Sequence, residues 1–158
     1  MWQKTKPYVI SIIIALSVGA LSSFLTRNSM NIYEQINTPP LSPPSILFPI
    51  VWTALFILMG ISSAIVYLKK QQYPREVESA ISVYIMNLAF NFAWSIIFFN
   101  LRMFLASFIL LIALWIIILK MILSFRKASP VAAFLQIPYL IWVTFAGYLN
   151  IAIYILNR

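Results

Sequence analysis

Five long apolar runs, parted by short polar connections, make up most of the chain. They cover about residues 8–26, 45–68, 79–99, 104–125 and 131–156. A helix needs about 20 mainly apolar residues to cross a bilayer, and each run is of that order. The pattern predicts an all-α integral membrane protein, a five-transmembrane-helix bundle. With 158 residues in all, the five spans leave no room for a second domain. The first run, from Tyr8 to Thr26, follows Lys4 and Lys6 and so has the charge layout of a signal peptide. It is longer than a usual signal core, and Ser11, Ala15, Gly19 and Ser23 recur at every fourth position. Residues four apart share a helix face, and small residues there let a second helix come close. The reading is a retained first span.

The connections carry their own instructions. Residues 28–44 form the one long loop, ending in the Pro-rich run Thr38 to Pro44. Proline fixes φ and removes a donor, so the run should be stiff and extended, with Ser42 capping the second helix and Pro43 in its first turn. A PxxP ligand at Pro40 and Pro43 is the weaker reading. Pro49 should bend the start of the second span. The turn Asn100-Leu101-Arg102 is short enough to make the third and fourth spans antiparallel neighbours. Pro138 falls within the fifth.

Charge adds orientation. Lys4, Lys6, Lys69, Lys70, Arg75, Lys120, Arg126 and Lys127 fall at one end of the bundle; Arg27, Arg102 and Arg158 fall at the other. Basic residues favour the cytoplasmic side. The N-terminus is therefore expected in the cytoplasm, with the proline-rich loop and C-terminus outside. The net charge of +8 is spread over span ends instead of one basic face, so it fits anionic lipid and argues against nucleic acid. The chain has no Cys, no His and no Asp; its acids are Glu34, Glu76 and Glu78. That inventory excludes thiolate and imidazole metal sites and Ser-His-Asp catalysis, and no metal or required cofactor is expected. No acid falls within a span, which weighs against an ion-coupled pump.

Within the bilayer, Asn87 and Asn91 stand one turn apart with Trp94 further along the same face. Buried amides in hydrocarbon need partners, from a neighbouring helix or from a ligand. Trp52, Phe56, Met59 and Ser63 form one stripe on the second span. Trp142, Phe145, Ala146 and Leu149 form another on the fifth. An aromatic stripe alone is more often packing. Here three spans each bring an indole with small residues beside it, which predicts a shared hollow for a flat conjugated ligand stacked on indole faces. Trp2 and Trp115 suit the membrane interface. The small-residue face of the first span and Gly60/Ala64 on the second offer contact faces for a homodimer.

Three blocks together resemble a known family. Pro43-Pro44, Val51-Trp52, Leu55-Phe56 and Met59-Gly60 form the first. Asn91-Phe92-Ala93-Trp94, Phe98-Phe99 and Arg102 form the second. Pro138-Tyr139-Leu140, Trp142, Phe145-Ala146 and Leu149-Asn150 form the third. In this order and five-span layout they are similar to the translocator protein family, also called tryptophan-rich sensory proteins or peripheral-type benzodiazepine receptors. The resemblance implies a five-helix bundle, commonly dimeric, with a cavity under the first loop. It implies binding of porphyrins such as protoporphyrin IX and of benzodiazepine-type ligands, with light-dependent oxidative breakdown of porphyrin in bacterial members. Transport of tetrapyrroles or sterols is the alternative. This chain departs from the family in the first loop, with Thr38-Pro39 and Leu41 in place of Lys-Pro and an aromatic. It also has Asn100 in place of a glycine and Ala106 in place of a tryptophan. A cholesterol-type motif can be read weakly as Leu149, Tyr154 and Arg158.

The expectation is thus a bacterial cell-membrane receptor for porphyrin. Its candidate ligand contacts are Tyr33, Trp52, Phe56, Asn87, Phe90, Asn91, Trp94, Trp142, Phe145, Ala146 and Leu149. Tyr33 and the stiff loop are expected to serve as a lid. If the bound porphyrin is turned over in light, Trp52 and Trp142 are the indoles expected to take part, the protein supplying proximity and dryness in place of acid–base groups.

Overall fold

The computed structural model describes residues 2–158, with side chains from Thr5 onward; Trp2 and Lys4 therefore lie outside the described side chains. The chain is all-α, and five of its helical stretches are long and apolar enough to cross a membrane. The first span is α1 (Trp2–Thr26). A 3₁₀ turn (Arg27–Ser29) and a short α2 (Ile32–Gln35) follow it. The second span is α3 (Leu47–Tyr67). The third is α4 (Pro74–Ser95), which continues as a π-turn over Ile96–Asn100. The fourth is α5 (Phe104–Ala128). The fifth is split into α6 (Pro130–Phe134) and α7 (Ile137–Leu156). Around the bundle the spans run α1, α3, α6/α7, α5, α4 and back to α1.

The prolines set the helix starts. Pro74 and Pro130 open α4 and α6, where a missing N–H costs nothing because no carbonyl precedes it. Ser129 caps α6, accepting from the Ala132 N–H at 3.4 Å. Pro138 does not sit inside a continuous helix. Its lost donor ends α6 at Phe134, and α7 restarts with the proline in its first turn. Nor does Ser42 cap the second span. Its hydroxyl donates to the Pro39 carbonyl at 2.7 Å, within a tight turn where Leu41 adopts φ 68°. The helix begins further on, at Leu47. Pro49 then falls in its first turn, where it breaks no helical bond. The 28–44 loop is also less extended than its prolines suggest. Ile32, 1% exposed, is buried by the α2 turn, and apolar burial of this kind favours a compact turn over an extended strand.

Contact between α1 and α3 is the tightest in the bundle. A Cβ at Gly60 would stand 2.5 Å from Ile12 Cα, and one at Gly19 would stand 2.6 Å from the Phe56 ring. Ala15 and Ala64 are fully buried. The small-residue faces that the sequence offers to a second copy are thus used inside one chain, because two helices can approach this closely only where side chains are missing.

Buried polar groups tie the other spans together. Asn91 Nδ2 donates to Tyr139 Oη at 2.9 Å, and Tyr139 Oη donates to Asn87 Oδ1 at 2.9 Å, joining α4 to α7. Asn150 Oδ1 accepts from Trp94 Nε1 and Ser107 Oγ, both at 3.1 Å, and Asn150 Nδ2 donates to the Phe104 carbonyl at 2.8 Å. One amide thereby links α4, α5 and α7. Trp115, read above as an interface residue, donates to Thr144 Oγ1 at 2.9 Å between α5 and α7.

The α1–α3 contact makes a testable contrast between glycines. Gly60→Ala forces backbone against backbone and should cost about 1–3 kcal/mol, read as a lower melting temperature in detergent. Gly147→Ala meets only Leu111 Cδ2 at 3.8 Å. It should be neutral or gain up to about 1 kcal/mol from helix propensity. Equal melting shifts would contradict the close-packing account.

Candidate ligand-binding cavity

A cavity of about 390 Å³ opens at the loop end of the bundle, within the range of roughly 300–1,000 Å³ usual for small-molecule sites. Its long wall is aromatic. Phe56, Trp52, Trp94 and Phe98 succeed one another with ring centroids 5.9, 6.2 and 5.4 Å apart and interplanar angles of 35°, 33° and 27°. The α1 side is mostly small, with Gly19, Ala20, Ser22 and Ser23 between Leu16 and Thr26. Where Phe56 meets Gly19 the two walls touch and close the floor. Ala146, Leu149, Asn150 and Ile153 form the α7 side, and Met30 and Tyr33 bring the loop into the wall.

Sequence position explains each contribution. Trp52 and Phe56 are four apart on α3, so they share a face. The fixed amide of Asn150 holds the Trp94 indole by its N–H, which leaves the ring face free to line the hollow. Phe98 and Phe99 reach the cavity from the π-turn. A π-turn adds one residue to the helical turn, and it redirects the side chains that follow. Asn100 Nδ2 then donates to the Leu25 carbonyl at 3.1 Å and ties this turn to the end of α1.

The residues singled out from sequence do not all arrive together. Tyr33, Trp52, Phe56, Asn91, Trp94, Ala146 and Leu149 line the cavity; Asn87, Phe90, Trp142 and Phe145 do not. Asn87 is fully buried behind the wall, accepting from Tyr139 and directing its amide at Met59 sulfur at 3.8 Å. Phe90 is half-buried against the core. Phe48 stands between Trp142 and the hollow, its ring edge-on to that indole at 6.0 Å and to Tyr33 at 5.0 Å. Phe145 packs behind, 5.6 Å from Trp142 and 6.3 Å from Tyr148. Trp142 Nε1 is buried with no hydrogen-bond partner among the described residues. The Tyr33 hydroxyl is likewise buried without one; the nearby Ser42 hydroxyl is committed to Pro39.

Sequence reasoning missed Phe48, the π-turn rings and the whole α1 face. The first-span stripe of small residues was the available signal. It pointed to close packing, whereas one end of that stripe packs and the other end faces the cavity.

Comparison with known proteins places the chain in a family. The model of the TspO/MBR family matches residues 11–156. Tryptophan-rich protein TspO of Chlorobaculum tepidum is 39% identical over 145 residues, covering 91% of each chain. Its namesake in Archaeoglobus fulgidus is 36% identical over 150 residues, covering 94% of this chain and 95% of that protein. A translocator protein of Bos taurus is 29% identical over 133 residues, covering 84% and 79%. With nearly every helix inside the matched segment, and its tryptophans set in a bundle of five membrane-length spans, the chain belongs to the TspO/MBR, or translocator protein, family.

Proposed function

We propose that the cavity binds porphyrins, protoporphyrin IX among them, and other flat hydrophobic ligands of the benzodiazepine type. One observation carries this reading: four aromatic rings in succession line the hollow together with a mostly small-residue face of α1, leaving a mainly apolar space. Such a gap fits a planar conjugated ring by offset stacking, worth about 0.5–1.5 kcal/mol per aromatic pair beyond the area buried. The macrocycle lies along Trp52 and Trp94. Its polar edge points to the loop end, where Ser23 and Ser45 line the wall at exposed positions. With no His or Cys in the chain, metal-free porphyrin suits the site better than a ligated haem. In the membrane, the end bearing Lys69, Lys70, Arg75, Arg126 and Lys127 faces the cytoplasm.

Light-dependent oxidation of the bound porphyrin is the enzymatic form of the same reading. Light-excited porphyrin takes an electron from a touching indole and passes it to dioxygen, the oxidant, as superoxide. The indole radical cation recovers its electron from the porphyrin, and superoxide adds to the porphyrin radical cation, so that one dioxygen is incorporated. The protein contributes proximity and exclusion of water. Trp52 and Trp94 touch the cavity directly, while Trp142 meets a ligand only if Phe48 turns aside.

Titrating the purified protein with protoporphyrin IX in darkness tests the pocket. Trp52→Phe and Trp94→Phe should each weaken binding by about 2–10-fold and remove much of the intrinsic fluorescence quenching. Unchanged quenching in the double variant would move the ligand elsewhere. Illumination tests turnover. Wild type should change the porphyrin absorbance with time, Trp52→Phe should slow that change strongly, and Trp142→Phe should slow it less. Identical traces for wild type and Trp52→Phe would reject a role for the Trp52 indole.

A further inference from the structure

The exposed lining residues cluster along one flank of the cavity, between α1 and the start of α3, with Met30 of the loop the exposed lining residue outside that flank. Ala20 and Ser23 of α1, together with Ser45, Pro49 and Thr53 at the start of α3, line the hollow and are also exposed. On the other flank of α1, Ser22 and Thr26 line the same hollow but are buried. The two helices that touch backbone to backbone at Gly60 and backbone to ring at Gly19 therefore spread apart toward the loop end and leave a slot. From Leu47 to Thr53, and from Thr26 to Ala20, the slot follows about 9 Å of each helix at the usual rise. Against a hydrocarbon core of about 30 Å, that is roughly its outer third on the loop side.

The rim is built for lipid. Its side chains are small. Thr53 Oγ1 donates to the Pro49 carbonyl at 2.7 Å, so this hydroxyl is satisfied within its own helix. The route from water, by contrast, is fastened. Asn37 N–H donates to Asn157 Oδ1 and Asn157 Nδ2 returns a bond to the Asn37 carbonyl, both at 2.9 Å. Tyr148 Oη donates to the Pro40 carbonyl at 2.9 Å. Together these bonds pin the first half of the proline run to α7 and the residue that caps it.

We propose that planar amphiphiles already dissolved in the bilayer enter and leave the cavity sideways, through the α1–α3 slot, while the 28–44 loop stays fixed as a roof. This rests on the reading that the cavity binds such ligands. It also specifies the ligand class: a flat ring that partitions into the leaflet with its polar edge at the interface. A macrocycle wider than the aromatic strip can leave its apolar edge in the slot against acyl chains, where no polar group is stranded.

The chain has no cysteine, so Ala20→Cys with Thr53→Cys gives the only two thiols, and a short bifunctional thiol reagent can close the slot. The protein is placed in phosphatidylcholine vesicles, loaded with protoporphyrin IX, and mixed with excess protein-free vesicles while quenching is followed. Cross-linking should slow release about ten-fold or more relative to the same variant before the reagent is added. Ser23→Phe, which adds a ring at an exposed rim position, should slow it several-fold without any cross-link. Asn157→Ala removes both Asn37 bonds and loosens the loop there, yet release should stay within about two-fold of wild type. Release unchanged by the cross-link and by Ser23→Phe, or hastened about ten-fold by Asn157→Ala, would overturn the proposal. Absence of quenching in the wild type before any release is started would instead defeat the binding reading on which it rests.

Discussion

Helices α1 and α3 approach closely where each in turn lacks a side chain. At Gly60 the α1 backbone lies against α3, and at Gly19 the Phe56 ring lies against α1. In a bilayer, little hydrophobic force drives helices together, so close van der Waals fit must hold them. That fit fixes α1 at one end and leaves it free to diverge at the other. The floor of the cavity, its small-residue wall and its opening toward lipid all follow from this one pivot.

A second constraint shapes the opposite side. Hydrocarbon offers no hydrogen bonds, so each buried polar group must find a partner inside the bundle. Asn87, Asn91 and Tyr139 satisfy one another, and Asn150 holds Trp94, Ser107 and the Phe104 carbonyl. These bonds lock α4, α5 and α7 into a rigid half. The Trp94 ring is thereby held at a set tilt against Trp52. A preorganised wall of this kind lowers the ordering cost of binding a rigid flat ligand. The polar residues therefore serve mainly as scaffold, with Asn91 also reaching the hollow.

Much of the architecture was legible in the sequence because membrane spans are written in long apolar runs with prolines and charges at their ends. Pairing of Trp52 with Phe56 was legible too, since residues four apart share a face. Three things were not. The break before Pro138 depends on where a helix chooses to restart, and a proline alone does not say whether it kinks a helix or begins one. The π-turn that delivers Phe98 and Phe99 has no sequence period of its own. The stripe at Ala15, Gly19 and Ser23 reads as packing along its whole length, although divergence of α1 from α3 turns part of it into cavity wall. Trp142 shares a stripe with Ala146 and Leu149, yet Phe48 from another span comes between it and the hollow. No periodicity within one helix could reveal that.

The central claim is one of place: a flat ligand lies between α1 and the Trp52–Trp94 wall. Paramagnetic relaxation from copper-substituted protoporphyrin, measured by NMR on isotopically labelled protein in lipid nanodiscs, reports that place directly. The account predicts the strongest broadening at Leu16, Gly19, Trp52, Trp94 and Ala146, with the far side of the bundle little affected. Strongest broadening instead at Trp115, Gly147 and Ile151, which line the shallow outer groove between α5 and α7, would contradict it.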